Sequence, residues 1–227
     1  MNVSFQKVEP LSKKVRVVAV LKEAILSGAL KPGAAMVEAK LAQQFGVGQG
    51  LIREALIELE YQGFVERTPF SGTQVINLSL EDTQQIFAVR LELEPLAYKL
   101  AAEKAKSADL AALAEMVAAM KRYVMEENMA RFFEANLACR RKIWEVAGNP
   151  FLARTLERLV APLFALYVIT ETFNHEAHLQ VSQRSVTIQE AAVNAIQAGA
   201  AEEAGRLARE FLQETQNNLH LLLAAKL

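Results

Sequence analysis

Asn136 and Arg140 stand four residues apart in the run Arg131 to Ala147, where Phe133, Leu137, Ile143, Trp144 and Ala147 recur with a helical period. At about 100° per residue both polar side chains fall inside that apolar stripe, one turn apart, while Glu134, Arg141, Lys142 and Glu145 fall outside it. A guanidinium turned inward is costly unless a carboxylate or a ligand anion answers it. Its planar fork suits carboxylate or phosphate. A second predicted helix repeats the feature: Ser182, Ser185 and Gln189 align with Ala192, Val193 and Ile196. Inward polar groups on two helices predict a polar pocket between them. Two partners for Arg140 stay open. One is an effector anion, oriented by Asn136 and Gln189. The other is a protein carboxylate, Glu94 or Glu190, with the pocket closed. Arg90 also lies near an inner stripe, with Ile86, Leu93 and Ala97. It is a candidate for the same anion, although Glu94 one turn on would pair with it locally.

A second constellation is Gln49, Gly50 and Arg53, at the start of a run whose apolar residues are Ile52, Ala55, Leu56 and Leu59. That stripe leaves the three off the buried face and near the helix N-terminus. A short helix, Glu38 to Phe45, precedes them across a tight Gly-containing turn. Two short helices with polar side chains at the head of the second form the layout of a DNA-reading helix-turn-helix. Phe64–Thr68 and Thr73–Ile76 read as strands around Pro69-Phe-Ser-Gly72, a hairpin wing in which Gly72 allows close approach to a duplex. Lys13, Lys14, Arg16 and Lys40 are candidate phosphate contacts, or solvated surface charges. A small helical domain without a DNA role is the bland alternative.

The elements that position these groups follow from periodicity and caps. An amphipathic helix, Val15 to Ser27, opens the N-terminal domain, residues 1–78. Residues 79–227 form the second domain. Ser79 caps a helix from Leu80 to about Lys106, which contains Pro95. Others follow from Ser107 to about Glu127, Arg131 to Ala147, Pro150 to the Phe173 region with Pro162 inside, about Glu176 to Ala198, and Ala201 onward. The expected fold is mainly α: a winged helix-turn-helix domain, then an all-α six- or seven-helix bundle.

Composition sets few limits. The 227 residues carry 25 Lys and Arg against 26 Asp and Glu, a formal net charge of −1. The first 78 residues hold nine basic and seven acidic side chains, too small an excess to argue nucleic-acid binding alone. The single Cys139 excludes an internal disulfide and fits a reducing compartment. No signal-peptide pattern or membrane span is expected, so the localisation expected is cytoplasmic. His175 and His178, with Glu171, lack the spacing of a metal-binding helix pair, and surface histidines are the commoner outcome.

The first domain resembles the amino-terminal domain of the GntR family of bacterial transcription regulators. The resemblance rests on Ile25-Leu-Ser-Gly-Ala-Leu-Lys-Pro-Gly33, Glu38, Leu41-Ala42, Phe45-Gly-Val47, Arg53-Glu-Ala-Leu56, Leu59-Glu60, Gly63-Phe-Val65 and Gly72. The second domain resembles the FadR-type effector domain (FCD-like) through Val89-Arg-Leu-Glu-Leu-Glu-Pro-Leu-Ala97, Ala147-Gly-Asn-Pro150 and Ala195-Ile-Gln-Ala-Gly199. The resemblance implies a homodimer on a double-stranded DNA operator, a small organic-acid or other anionic effector, and repression as the default. The usual recognition-helix start, Ser-Arg-Thr-Pro-Val-Arg, is Gly48-Gln-Gly-Leu-Ile-Arg53 here. Arg53 is kept and the first Arg has become Gln49, which fits adenine rather than guanine. The resemblance also implies a divalent metal in many effector domains. Its Asp and three His positions fall on Asn136, Arg140, Gln189 and Phe211. These are poor ligands, so no cofactor and no metal is expected, and Arg140 would supply the positive charge, walled by Phe211, Phe133 and Trp144. Two rivals stand beside this reading. A regulator with a vestigial effector pocket would act as a dimeric DNA-binding module. An all-α enzyme lacks any nucleophile pair, phosphate-cradling loop or metal set to support it.

Overall fold

The computed structural model describes residues 13–26, 29–68, 72–171 and 175–224. The chain divides into two compact units, whose sequence boundary lies between Asn77 and Leu78. The first comprises α1 (Lys13–Leu26), α2 (Glu38–Phe45), α3 (Gln49–Tyr61), β1 (Val65–Thr68) and β2 (Gly72–Val75). Gly46 takes the left-handed conformation, φ 62°, and sends its amide to the carbonyls of Ala42 and Gln43, so α2 stops and α3 starts within three residues. Ile52, Ala55, Leu56 and Leu59 are all buried, as their spacing requires, and α3 packs on α1, where Leu21 and Ile25 are buried too, and on β1. β1 and β2 pair antiparallel with Val65 opposite Val75 and Thr68 opposite Gly72. One further pairing leaves no periodic trace in the sequence. The loop before α2 bridges Ala35 to Gln74, and Met36 donates its amide to Thr73 O at 2.7 Å. The hairpin is thereby tied to the entry of the helix pair. The Pro69-Phe-Ser71 turn lies outside the described residues.

The second unit holds α4 (Leu80–Lys104), α5 (Ser107–Met125), α6 (Met129–Val146), α7 (Pro150–Glu171), α8 (His175–Gln197) and α9 (Ala201–Ala224). α4 is the central helix and packs on α6, α7, α8 and α9. Its start is a reciprocal cap: the Ser79 hydroxyl accepts from the Asp82 amide, and the Asp82 carboxylate accepts from the Ser79 amide at 2.9 Å. It runs through the buried Pro95. α6 begins two residues earlier than expected, because the Asn128 side chain accepts from the Arg131 amide and caps it. α5 correspondingly ends at Met125, and Glu127 takes a left-handed φ of 52° to make the turn. Three apolar clusters fill the bundle, anchored by Phe132 and Ile143, by Phe87 and Leu212, and by Trp144 and Leu156. Among the described residues, no helix is long and apolar enough to cross a membrane.

Candidate functional site

In the first unit the head of α3 is bare. Gly48 stands in the N-cap position in an extended conformation with no side chain to cap the helix. Gln49 and Gly50 follow it, both exposed. Arg53 is one turn further and also exposed. Its guanidinium is not idle: Nη2 donates to Glu38 Oε2 at 2.8 Å, and Nε reaches both carboxylate oxygens at 3.1 and 3.2 Å. That fork holds the Glu38 carboxyl below its ordinary range. A DNA phosphate or base edge would compete with Glu38 for Arg53. Lys40 is exposed on α2, and Gly72 is exposed at the start of β2 with φ 86° and nothing within 4 Å of where a Cβ would stand. Lys13 and Arg16 are exposed, whereas Lys14 sits 3.5 Å from Glu58.

In the second unit Arg140 and Asn136 are buried, as the stripe argument requires. They line a cavity of about 70 Å³ together with Arg90 of α4, Phe132, Phe133 and Leu137 of α6, Val160 and Leu163 of α7, Val181, Ser182 and Ser185 of α8, and Phe211 and Thr215 of α9. The two partners weighed for Arg140 are not exclusive. Arg140 Nη2 donates to Glu94 Oε2, and Arg90 Nε donates to Glu94 Oε1 at 2.7 Å. Both guanidiniums therefore share one buried carboxylate, yet a cavity remains beside them. Glu190, the other carboxylate considered, pairs instead with Lys121 at 2.6 Å. The Phe211 ring lies 5.1 Å and the Trp144 ring 5.7 Å from the Arg140 guanidinium carbon, within cation–π range. Arg140 Nε and Ser182 Oγ are buried with no hydrogen-bond partner among the described residues. Asn136 donates to Ser185 Oγ at 3.1 Å.

Two expected site residues are placed elsewhere. Gln189 does not line the cavity. Its amide is engaged with the Tyr98 hydroxyl, at 3.0 and 3.1 Å from its two ends, and reaches Cys139 Sγ at 3.6 Å. Tyr98 is 91 residues away in sequence, and no local pattern announces it. Burial raises the Tyr98 phenol above its ordinary pKa and pushes the Cys139 thiol up to about 11, so both stay protonated. Trp144 backs Arg140 rather than walling the cavity. Conversely Val160, Leu163, Val181 and Thr215 line it without having been singled out. They come from helices whose facing could be known only after packing. The side chains of Glu171, His175 and His178 lie outside the described residues.

Two family models match this chain: bacterial regulatory proteins of the gntR family over residues 13–75, and the FCD domain over residues 85–214. The chain belongs to the GntR family of bacterial regulatory proteins, and its helical unit is an FCD domain. Among GntR relatives, the HTH-type transcriptional regulator McbR of Escherichia coli (strain K12) is 29% identical over 153 residues, 67% of this chain and 69% of that protein. The gluconate operon transcriptional repressor of Bacillus licheniformis is 35% identical over 88 residues, covering 39% of this chain and 36% of that one. The solved structure of E. coli McbR/YncC superposes with a TM-score of 0.73 at 25% identity, over 96% of this chain and all of that one. The metal expected of many FCD domains finds no fitting donor set here. Three of the four positions assigned to it hold Asn136, Arg140 and Phe211, with a guanidinium already seated among them. Among the described residues no three His, Cys, Asp or Glu side chains cluster to hold one.

Proposed function

We propose that this GntR-family regulator grips duplex DNA through Gln49, Gly50, Arg53, Lys40 and the hairpin at Gly72, and that a small anion in the helical unit alters that grip. It acts as a homodimer on two operator half-sites and represses transcription. The anion is held by Arg140 with Arg90, Asn136 and Phe211 around it, without a metal. Family membership supports the DNA-binding part. The likeness to the gluconate operon transcriptional repressor supports repression. The observation that carries the effector part is the placement of Arg140: buried, in the wall of a cavity lined, among the described residues, by two guanidiniums and no acidic side chain. Ligand binding shifts the population between two arrangements of the dimer, only one of which fits both half-sites.

The test is to select bound DNA from a random pool with the wild-type chain, then measure its affinity with and without candidate organic acids. An affinity that changes at least several-fold with one acid supports the reading. An affinity unmoved by every anion, with none bound, favours the vestigial-pocket module instead. That rival draws on Glu94, which already neutralises one guanidinium. Turnover of a bound acid would point to an enzyme, although the McbR relative and the gluconate operon relative are named as transcription regulators.

A further inference from the structure

We infer that Glu38 is a specificity-determining residue: by holding one edge of the Arg53 guanidinium, it turns Arg53 from a phosphate contact into a reader of guanine. The inference rests on the DNA grip proposed above and assigns to it a positioning residue that acts through Arg53. Three observations point to it. First, the fork leaves one particular edge open. A guanidinium has five N–H donors in a fixed plane. Arg53 Nε donates to both Glu38 oxygens, and Nη2 donates to Oε2 at 2.8 Å, so the edge beside the side-chain stem is taken. Nη1 makes no hydrogen bond among the described residues, and the Arg53 side chain is 58% exposed. The outer edge, Nη1 with the second hydrogen of Nη2, therefore keeps two parallel donors. That pair matches O6 and N7 of guanine in the major groove. A DNA group that reaches for the inner edge has to displace Glu38, whereas one that meets the outer edge does not.

Second, the pairing removes the charge that a phosphate contact uses. Arg53 and Glu38 together carry no net charge. A cation gains on a phosphate because neutralising it releases condensed counterions. A guanidinium already answered by a carboxylate gains little of this, and it would bring that carboxylate up to the phosphate. The edge of guanine carries acceptors and no net charge, so it meets no such repulsion.

Third, Glu38 is fixed in place and stays ionised. It is the first residue of α2, where the helix dipole favours a carboxylate. Its side chain is only 26% exposed, against 58% for Arg53, so the carboxylate is the anchored partner and the arginine the presented one. Hydrogen bonds from Arg53, aided by the charge of Arg67 on β1, hold its carboxyl below the ordinary range.

The experiment is fluorescence anisotropy of the full chain on the duplex selected from the random pool and on a scrambled duplex of the same length and composition. Both are measured over a salt series. An exposed ion pair contributes little to folding, so Glu38→Gln is expected to stay folded. It is expected to bind the scrambled duplex several-fold tighter than wild type, with the log–log salt slope steeper by about one per chain. The ratio of selected to scrambled affinity is expected to fall about ten-fold. In an Arg53→Gln background most of this effect of Glu38→Gln is expected to vanish. An unchanged ratio and slope in Glu38→Gln overturn the inference and leave the DNA grip standing. So does a loss of affinity by the same factor on both duplexes, which would make Glu38 a support of the fold alone. Failure of the wild-type chain to bind any duplex overturns both.

Discussion

Glu94 is the residue on which the interior of the helical unit depends. It accepts from Arg90 and Arg140 and is itself 1% exposed. Removing one member of such a cluster is not symmetric. Glu94→Gln removes the carboxylate charge that both guanidiniums share and should cost about 3–5 kcal/mol in urea unfolding. Arg140→Met leaves the Arg90–Glu94 pair intact and substitutes an apolar chain of similar reach, so its cost should stay near 1 kcal/mol. Equal losses in the two variants would show that the cluster is not held by charge. Cys139 permits a second check at this scale. With its thiol at about 11, the thiolate at pH 8 is about one part in a thousand. A thiol reagent at that pH should label the chain only after unfolding. Prompt labelling of the folded chain would contradict the packing of Cys139 against Gln189. The inward turn of Asn136 and Arg140 was legible from a single helical stripe. The partner of Gln189 was not, because Tyr98 lies on α4 and only tertiary packing brings the two together.

Helix boundaries were legible wherever a side chain or a glycine makes them. Ser79 opens α4, and Gly148 and Gly199 follow α6 and α8 in left-handed conformations, with φ of 65° and 67°. α6 starts two residues before the expected Arg131, because Asn128 caps it. The contribution of the Ser79 cap has a definite pH dependence. Hydrogen bonds from Ser79 hold the Asp82 carboxyl below its ordinary value. A carboxyl depressed in the folded state stabilises above its unfolded pKa and loses that contribution as pH falls through the folded one. Ser79→Ala should therefore cost about 1 kcal/mol at neutral pH, and the gap from wild type should narrow below the usual aspartate range. A gap independent of pH would remove Asp82 from the account. In the proposed DNA grip α3 carries the sequence preference. Gln49→Arg should move one operator base from adenine toward guanine in a selection from random DNA, whereas an unchanged consensus would place Gln49 off the bases. The pairing of the Ala35 loop with β2 was hidden, because isolated bridges leave no periodic trace.

At the scale of the whole molecule the division into a GntR-type unit and a helical FCD unit was legible, since the joint falls at a clear change from strand-and-turn chemistry to continuous helix signals. That the helical unit keeps both a protein carboxylate and a cavity around the same guanidinium was not legible. That coexistence bears directly on function. Were Glu94 the full answer to Arg140, the chain would be a constitutive DNA-binding module. Arg140 Nε has no hydrogen-bond partner among the described residues, and on the proposed reading an anion that takes it is coupled to how the two DNA-binding units of a dimer meet their half-sites. The most direct measurement is operator affinity by fluorescence anisotropy, with and without a saturating organic acid that binds the chain, in the wild-type chain and in Arg140→Met. The account predicts that the ligand changes wild-type affinity at least several-fold and that the ratio falls toward one in Arg140→Met. A ligand effect of the same size in both proteins would contradict it.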